Sequence, residues 1–316
     1  MTHAHDHSHT HADTRGDHGV FRLAFILTCA LLLAEAIGGW WSGSLALLAD
    51  AAHMLVDAGA LGLAWAAAVF ALKPADARRS FGYARIEVLA GFVNALLQVL
   101  LVIGIAYEAI RRLLAVDQIH IESGVMLVVA VIGLLVNVLV LRSLHAHDHD
   151  DLNTAGARLH VFGDLLGSIG TVAAALLVRY LGWNWADPVL SLLVSLLILR
   201  GAFVLLRRSG HILLEGVPEG VAPDEIKTAL ESVDPDVTGV HHLHVWQLAS
   251  GSRIATLHAR LREGGDAQHA LVAIQQLLSE RFSISHATVQ LESCECADPH
   301  AACDEQGDAA GSHQEH

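Results

Sequence analysis

The chain has 316 residues, 53% of them hydrophobic, and a formal net charge of -14. That length holds a membrane domain and one small soluble domain, and the acidic balance gives no basis for nucleic-acid binding. Four cysteines make no disulfide framework, while 22 histidines, many in clusters, far exceed ordinary usage.

Residues 1–19 set His3, His5, His7, His9 and His11 among small and polar residues. No apolar face exists, so this reads as a disordered tail with loose affinity for zinc, copper or nickel. It lacks the basic start of a cleaved signal peptide. Six apolar runs follow, roughly 21–41, 45–72, 86–112, 122–144, 154–181 and 187–206. Each is about 20 residues or longer, enough to cross about 30 Å of hydrocarbon. Trp40 and Trp41, then Trp183 and Trp185, mark interfaces. Lys73, Arg78, Arg79, Arg85, Arg142, Arg158, Arg207 and Arg208 load one side of the bundle, against Arg111, Arg112 and Arg179 on the other. That excess places both termini in the cytoplasm and a six-helix domain at 20–208.

The second run carries His53 and Asp57, four apart and so on one helix face. The fifth repeats the spacing with His160 and Asp164. A carboxylate at bilayer depth is costly and marks an ion path. One such histidine alone is more often a helix–helix hydrogen-bond donor. Two matched pairs supply two imidazoles and two carboxylates, a set suited to tetrahedral zinc. Asp50 shares the face of His53 and Asp57, as an orienting group behind the ligands or a fifth ligand. Asn94 and Asn137 are expected to hydrogen-bond across helices, and Gly59, Gly62, Gly163, Gly167 and Gly170 to let the second and fifth helices approach.

Between the fourth and fifth runs, His145, His147 and His149 form a polar loop, read as a cytoplasmic metal collector. After Arg208 the texture changes. A helix from Pro223, strands at 237–248 and 253–261, a helix capped by Asp266 and a strand at 285–291 predict a ferredoxin-like α+β domain over 209–293. It is small enough that pairing with a second copy is expected. In the strand reading His242 and His244 share a face, with His258 on the neighbouring strand. With His241, His286 and Glu292 these imply a second metal site, against the alternative of a polar sheet face at a dimer contact. The tail 294–316 reads as disordered, with Cys294 and Cys296 able to chelate a soft metal weakly.

The chain resembles the cation diffusion facilitator family, specifically its zinc-transporting branch. The resemblance spans 18–293 and rests on the run Ser44 to Asp57, on His160-Val161-Phe162-Gly163-Asp164, on Ser80 to Glu87 and on His241 to Trp246. It implies an α-helical membrane protein with six transmembrane helices plus a small α+β ferredoxin-like cytoplasmic domain. It further implies a homodimer in a bacterial plasma (inner) membrane, exporting zinc against inward protons by alternating access. His53, Asp57, His160 and Asp164 match the family's transport site, with histidine at the first position favouring zinc over cadmium. His244, His258, His286 and Glu292 match cytoplasmic metal ligands. Arg85 and Glu215 stand where some members carry a charge interlock. Two departures are expected to matter. Arg79 and Tyr83 replace the two histidines that join Asp76 in a further loop site of some bacterial members. Cys294 and Cys296 are one residue apart, where the vesicular branch has a two-residue spacing.

Metal binding releases protons from imidazole and carboxylate, so exchange needs no covalent step and no enzyme chemistry. A membrane-anchored zinc sensor or store, a passive zinc channel, or a transporter whose main metal is cobalt, cadmium or nickel are the alternatives. A sensor needs no ligand at bilayer depth, and a channel cannot be driven uphill by protons.

Overall fold

The computed structural model describes the backbone of residues 14–145, 152–249 and 251–293, and the side chains of 26–142, 161–249 and 251–293, Asp117 aside. The tail histidines, the side chains of the His145, His147 and His149 collector, the side chain of His160, and Cys294 and Cys296 lie outside the described residues.

The six apolar runs are helices: α1 Thr14–Ser42, α2 Leu45–Ala71, α3 Arg85–Leu114, α4 Ser123–His145, α5 Leu152–Leu181 and α6 Ala186–Leu213. Among the described residues, α2 to α6 are each long and apolar enough to cross a membrane. Two boundaries differ from expectation. Helix α1 starts at Thr14, inside the segment read as a tail, and α6 runs on past Arg208 to Leu213. Apolar content marks where hydrocarbon ends, and a helix does not have to stop there.

The chain divides into two compact units, one up to Leu61 with Asn94–Phe203, the other Gly62–Val93 with the chain from Val204 onward. In the first, α4 packs against both α1 and α5. Leu47, Met126, Ala130, Ala174, Ala175 and Val178 form its apolar centre. Asn137 donates to Ser168 Oγ at 2.9 Å, the expected cross-helix bond, whereas Asn94 Oδ1 is buried without a partner among the described residues. The glycine expectation is corrected. A methyl group built at Gly59, Gly62, Gly163 or Gly167 meets nothing within 4 Å, and at Gly170 it meets only Leu190. The close approach is instead between α1 and α4, where a Cβ on Gly38 falls 2.6 Å from Val129 Cγ2. Small residues permit contact without requiring it.

Helix α2 is anchored at its start by α6. Asp187 is wholly buried. It accepts from Ser44 Oγ at 2.5 Å and from the amides of Leu45 and Ala46 at 2.7 and 3.2 Å. Two of the orphan backbone donors at the helix N-terminus, with the Ser44 hydroxyl beside them, are thereby supplied with negative charge. Arg111 and Arg112, the cations on the minority side, both donate to Glu108 at 2.7–2.9 Å.

In the second unit the expected order appears as α7 Pro223–Glu231, β1 Val237–Ala249, β2 Ser252–Leu261, α8 Ala267–Phe282 and β3 Ile284–Glu292. Strand β2 is central, antiparallel to β1 and parallel to β3. Ile226, Leu230, Ile274, Leu278 and Phe282 from the two helices cover one face, against Val240, Val245, Ala255, Leu257 and Ala259. Alternation then sends His258, Gln290 and Glu292 to the other face. Asp266 caps α8 as expected, accepting from the amides of Gln268 and His269 at 3.0 Å.

Candidate metal sites

At the transport position one turn of α2 brings His53 Nε2 to 3.4 Å from Asp57 Oδ2, both largely buried. The i, i+4 spacing read from the sequence therefore sets an imidazole nitrogen and a carboxylate oxygen side by side. Gln98 of α3 donates its amide to the other carboxylate oxygen, Asp57 Oδ1, at 3.0 Å. Asp50 is buried one turn earlier, and Asp164 of α5 acts on it electrostatically. His160 lies on the same helix as Asp164, one turn before it.

Glu35 on α1 was not singled out in the sequence. It is 1% exposed, its Oε2 has no hydrogen-bond partner among the described residues, and Asp50 and Asp164 both act on it electrostatically. Its Oε1 would lie 2.7 Å from a Cβ on Gly133, so glycine there makes room for the carboxylate. Its signal was available: a carboxylate in the middle of the first apolar run carries the same cost as Asp57. Gln98 gave no signal, since a neutral amide in a long apolar helix has many bland uses.

In the sheet, the face assignment for His242 and His244 is corrected. His241 pairs with His258 and His244 with Thr256, so one extra residue intervenes on β1. His242 takes up that bulge with φ 50°, a left-handed conformation. The bulge gathers His241, His242 and His258, each offering a ligand nitrogen within 4.8 Å of the others. Glu292 joins them, its oxygens 3.1 Å from His241 Nε2 and 3.0 Å from His258 Nδ1. Three imidazoles and a carboxylate are a donor set that fits zinc. His244 stands outside this group. His286 pairs with Ile254, four places along β2 from His258 and so about 13 Å away. Its ring meets Phe81 edge-on at 6.1 Å. Burial holds the His241 imidazole below its ordinary range against the opposing pull of Glu292, with His242, His258 and Arg260 adding to the lowering.

The loop after α2 matches the first expected departure. Asp76 accepts from Tyr83 Oη at 2.8 Å and from the amides of Arg78 and Arg79 at 2.8 and 2.9 Å. The Tyr83 bond, then the two amides, hold its carboxyl below the ordinary range. Arg79 lies over the Tyr83 ring at 5.0 Å. Donors occupy the carboxylate that a metal would need. Arg85 Nη2 donates to Glu215 Oε1 at 2.7 Å, so the interlock candidates do pair.

A bundle of apolar helices that carries a paired histidine and aspartate, joined to a small α+β domain, defines a multi-pass membrane cation transporter and not an enzyme. The chain belongs to the cation efflux family: residues 21–214 match the cation efflux transmembrane domain, and 218–294 the cation efflux protein, cytoplasmic domain. It is 43% identical over 316 residues to the zinc transporter ZitB of Escherichia coli, covering 99% of this chain and all of that one. It is 41% identical over 301 residues to the metal cation efflux system protein CzcD of Cupriavidus metallidurans, covering 95% and 92%. It is 37% identical over 279 residues to a cadmium, cobalt and zinc/H(+)-K(+) antiporter of Bacillus subtilis, covering 87% and 88%. Among solved structures, the metal-bound C-terminal domain of the CzcD transporter matches at 30% identity and TM-score 0.22, over 23% of this chain and 99% of that one.

Proposed function

We propose that the chain exports zinc from the cytoplasm in exchange for protons, as a homodimer working by alternating access. The observation that carries this reading is the His53–Asp57 pair, 3.4 Å apart inside an apolar helix. Asp164 on α5, with His160 one turn earlier, completes a two-nitrogen, two-oxygen set. Loading needs neutral imidazole and ionised carboxylate, so each metal taken up displaces protons, and protons returning from outside release it. The names of the Escherichia coli and Bacillus subtilis relatives support zinc and proton coupling. The cytoplasmic-domain match supports the dimer, and the arginine excess supports cytoplasmic termini in an inner membrane.

In the sheet, His241, His242, His258 and Glu292 hold a regulatory or structural zinc. The expected ligands His244 and His286 would act in a separate site or across a dimer contact.

A second reading, a broader range with cobalt and cadmium beside zinc, is favoured by the name of the Bacillus subtilis relative. One experiment tests both: metal uptake into sealed everted vesicles under a set pH gradient, wild type beside Asp57→Ala, with zinc, cobalt and cadmium in parallel. Uptake indifferent to the gradient would remove the proton coupling, and equal rates for Asp57→Ala would remove the site.

A further inference from the structure

Within the second unit, a cleft of about 390 Å³ opens where α6 ends and the α+β domain begins. Arg208 and His211 of α6, Glu219 of the connecting segment, and Arg253 and Ser283 of the domain line it. None of these belongs to the metal sites.

The walls are fixed. The His211 ring lies over Gly216 so closely that any Cβ there would collide with it. His211 Nε2 donates to the Val217 carbonyl at 2.8 Å, since a carbonyl only accepts. Arg253 donates to the Phe282 carbonyl at 2.8 Å, which holds its guanidinium in place. Ser283 is turned by a left-handed backbone, φ 55°. The cleft thus has two guanidiniums and a hydroxyl for an anion, and one carboxylate for a cation.

Depth selects the ligand. The apolar run of α6 ends at Leu206, and Arg207 and Arg208 follow at once. Arginines at the cytoplasmic end of a membrane helix lie at headgroup level, and basic pockets there take lipid phosphates. Planar guanidiniums suit phosphate oxygens in particular. Glu219 disfavours a purely anionic ligand and matches an ammonium.

We propose that this cleft seats a phospholipid headgroup that pairs a phosphate with a primary amine. The phosphate lies on Arg208 and Arg253 and the amine on Glu219.

The test is native mass spectrometry of the full-length protein with added phosphatidylethanolamine or phosphatidylglycerol. Free O-phosphoethanolamine serves as the soluble arm. Retained phosphatidylethanolamine is expected to fall about tenfold in Arg208→Ala/Arg253→Ala, the loss of charge-assisted contacts. Glu219→Gln is expected to erase the preference over phosphatidylglycerol. Arg208→Lys/Arg253→Lys keeps the charge and retains intermediate lipid, a comparison that stands even if the alanine pair fails to fold. Equal retention in wild type and every variant overturns the proposal. So does stabilisation by O-phosphoethanolamine without any variant-sensitive lipid, which would assign the cleft to a soluble phosphate.

Discussion

Gln98 on α3 donates its side-chain amide to Asp57 Oδ1 at 3.0 Å, while Asp57 Oδ2 faces His53. The bond fixes the plane of the carboxylate beside His53. Groups behind a metal ligand commonly carry 10–100-fold of affinity. Gln98→Leu is therefore expected to raise the half-saturating zinc concentration about tenfold in vesicle uptake, with less effect on maximal rate. Gln98→Asn, too short to reach, should resemble it. An unchanged half-saturation would show that the contact is incidental.

Asp187 offers a second, purely structural lever on the same helix. It is wholly buried and meets three donors at the start of α2. Hydrogen bonds to a charged group contribute about 1.5–3 kcal/mol, and a buried cap left empty costs at least that. Asp187→Ala should lower thermal stability in detergent by the equivalent of about 3 kcal/mol. Ser44→Ala, which removes one of the three donors, should cost about 1.5 kcal/mol. Calorimetry of both variants decides this, and equal losses would assign the stabilisation to the hydroxyl alone.

The α1–α4 contact makes a prediction with a built-in rescue. A Cβ on Gly38 would stand 2.6, 3.1 and 3.2 Å from three atoms of Val129. Valine is stiff at its first side-chain torsion and has no easy retreat. Gly38→Ala should destabilise by about 1–3 kcal/mol through overpacking. Gly38→Ala/Val129→Ala should recover most of that loss. A double variant no better than the single one would place the strain elsewhere.

These contacts show where the sequence was legible. His53 and Asp57 were readable as partners because helical spacing alone sets them together. The cap at Asp266 and the strand positions of β2 and β3 followed from local turn chemistry and alternation. Asp187 was not readable, because its partners at Ser44, Leu45 and Ala46 lie over 140 residues away and no local pattern encodes them. The bulge at His242 was equally hidden. Its φ of 50° is uncommon for any residue but glycine, and histidine adopts it here among the rings of His241 and His258. One residue of slip moved the ligand cluster from His244 to His241, since side chains alternate with a period of two.

That cluster carries the pH prediction. Burial lowers the proton affinity of His241, with Glu292 opposing and His242, His258 and Arg260 reinforcing. The unfolded chain then binds more protons than the folded one just below the ordinary histidine value of 6.5. Stability from this group is fully present above 6.5 and is lost as pH falls through the lowered folded value. Metal-free protein should therefore show falling amide-exchange protection in β1 and β2 between about pH 7.5 and 5.5, after correction for intrinsic exchange. His241→Gln should flatten that slope. Zinc binds the neutral ring and competes with the proton, so added zinc should raise protection strongly at the upper pH and weakly at the lower. A slope that is the same in His241→Gln would mean that another group titrates. Zinc protection independent of pH would mean that imidazoles do not hold the ion.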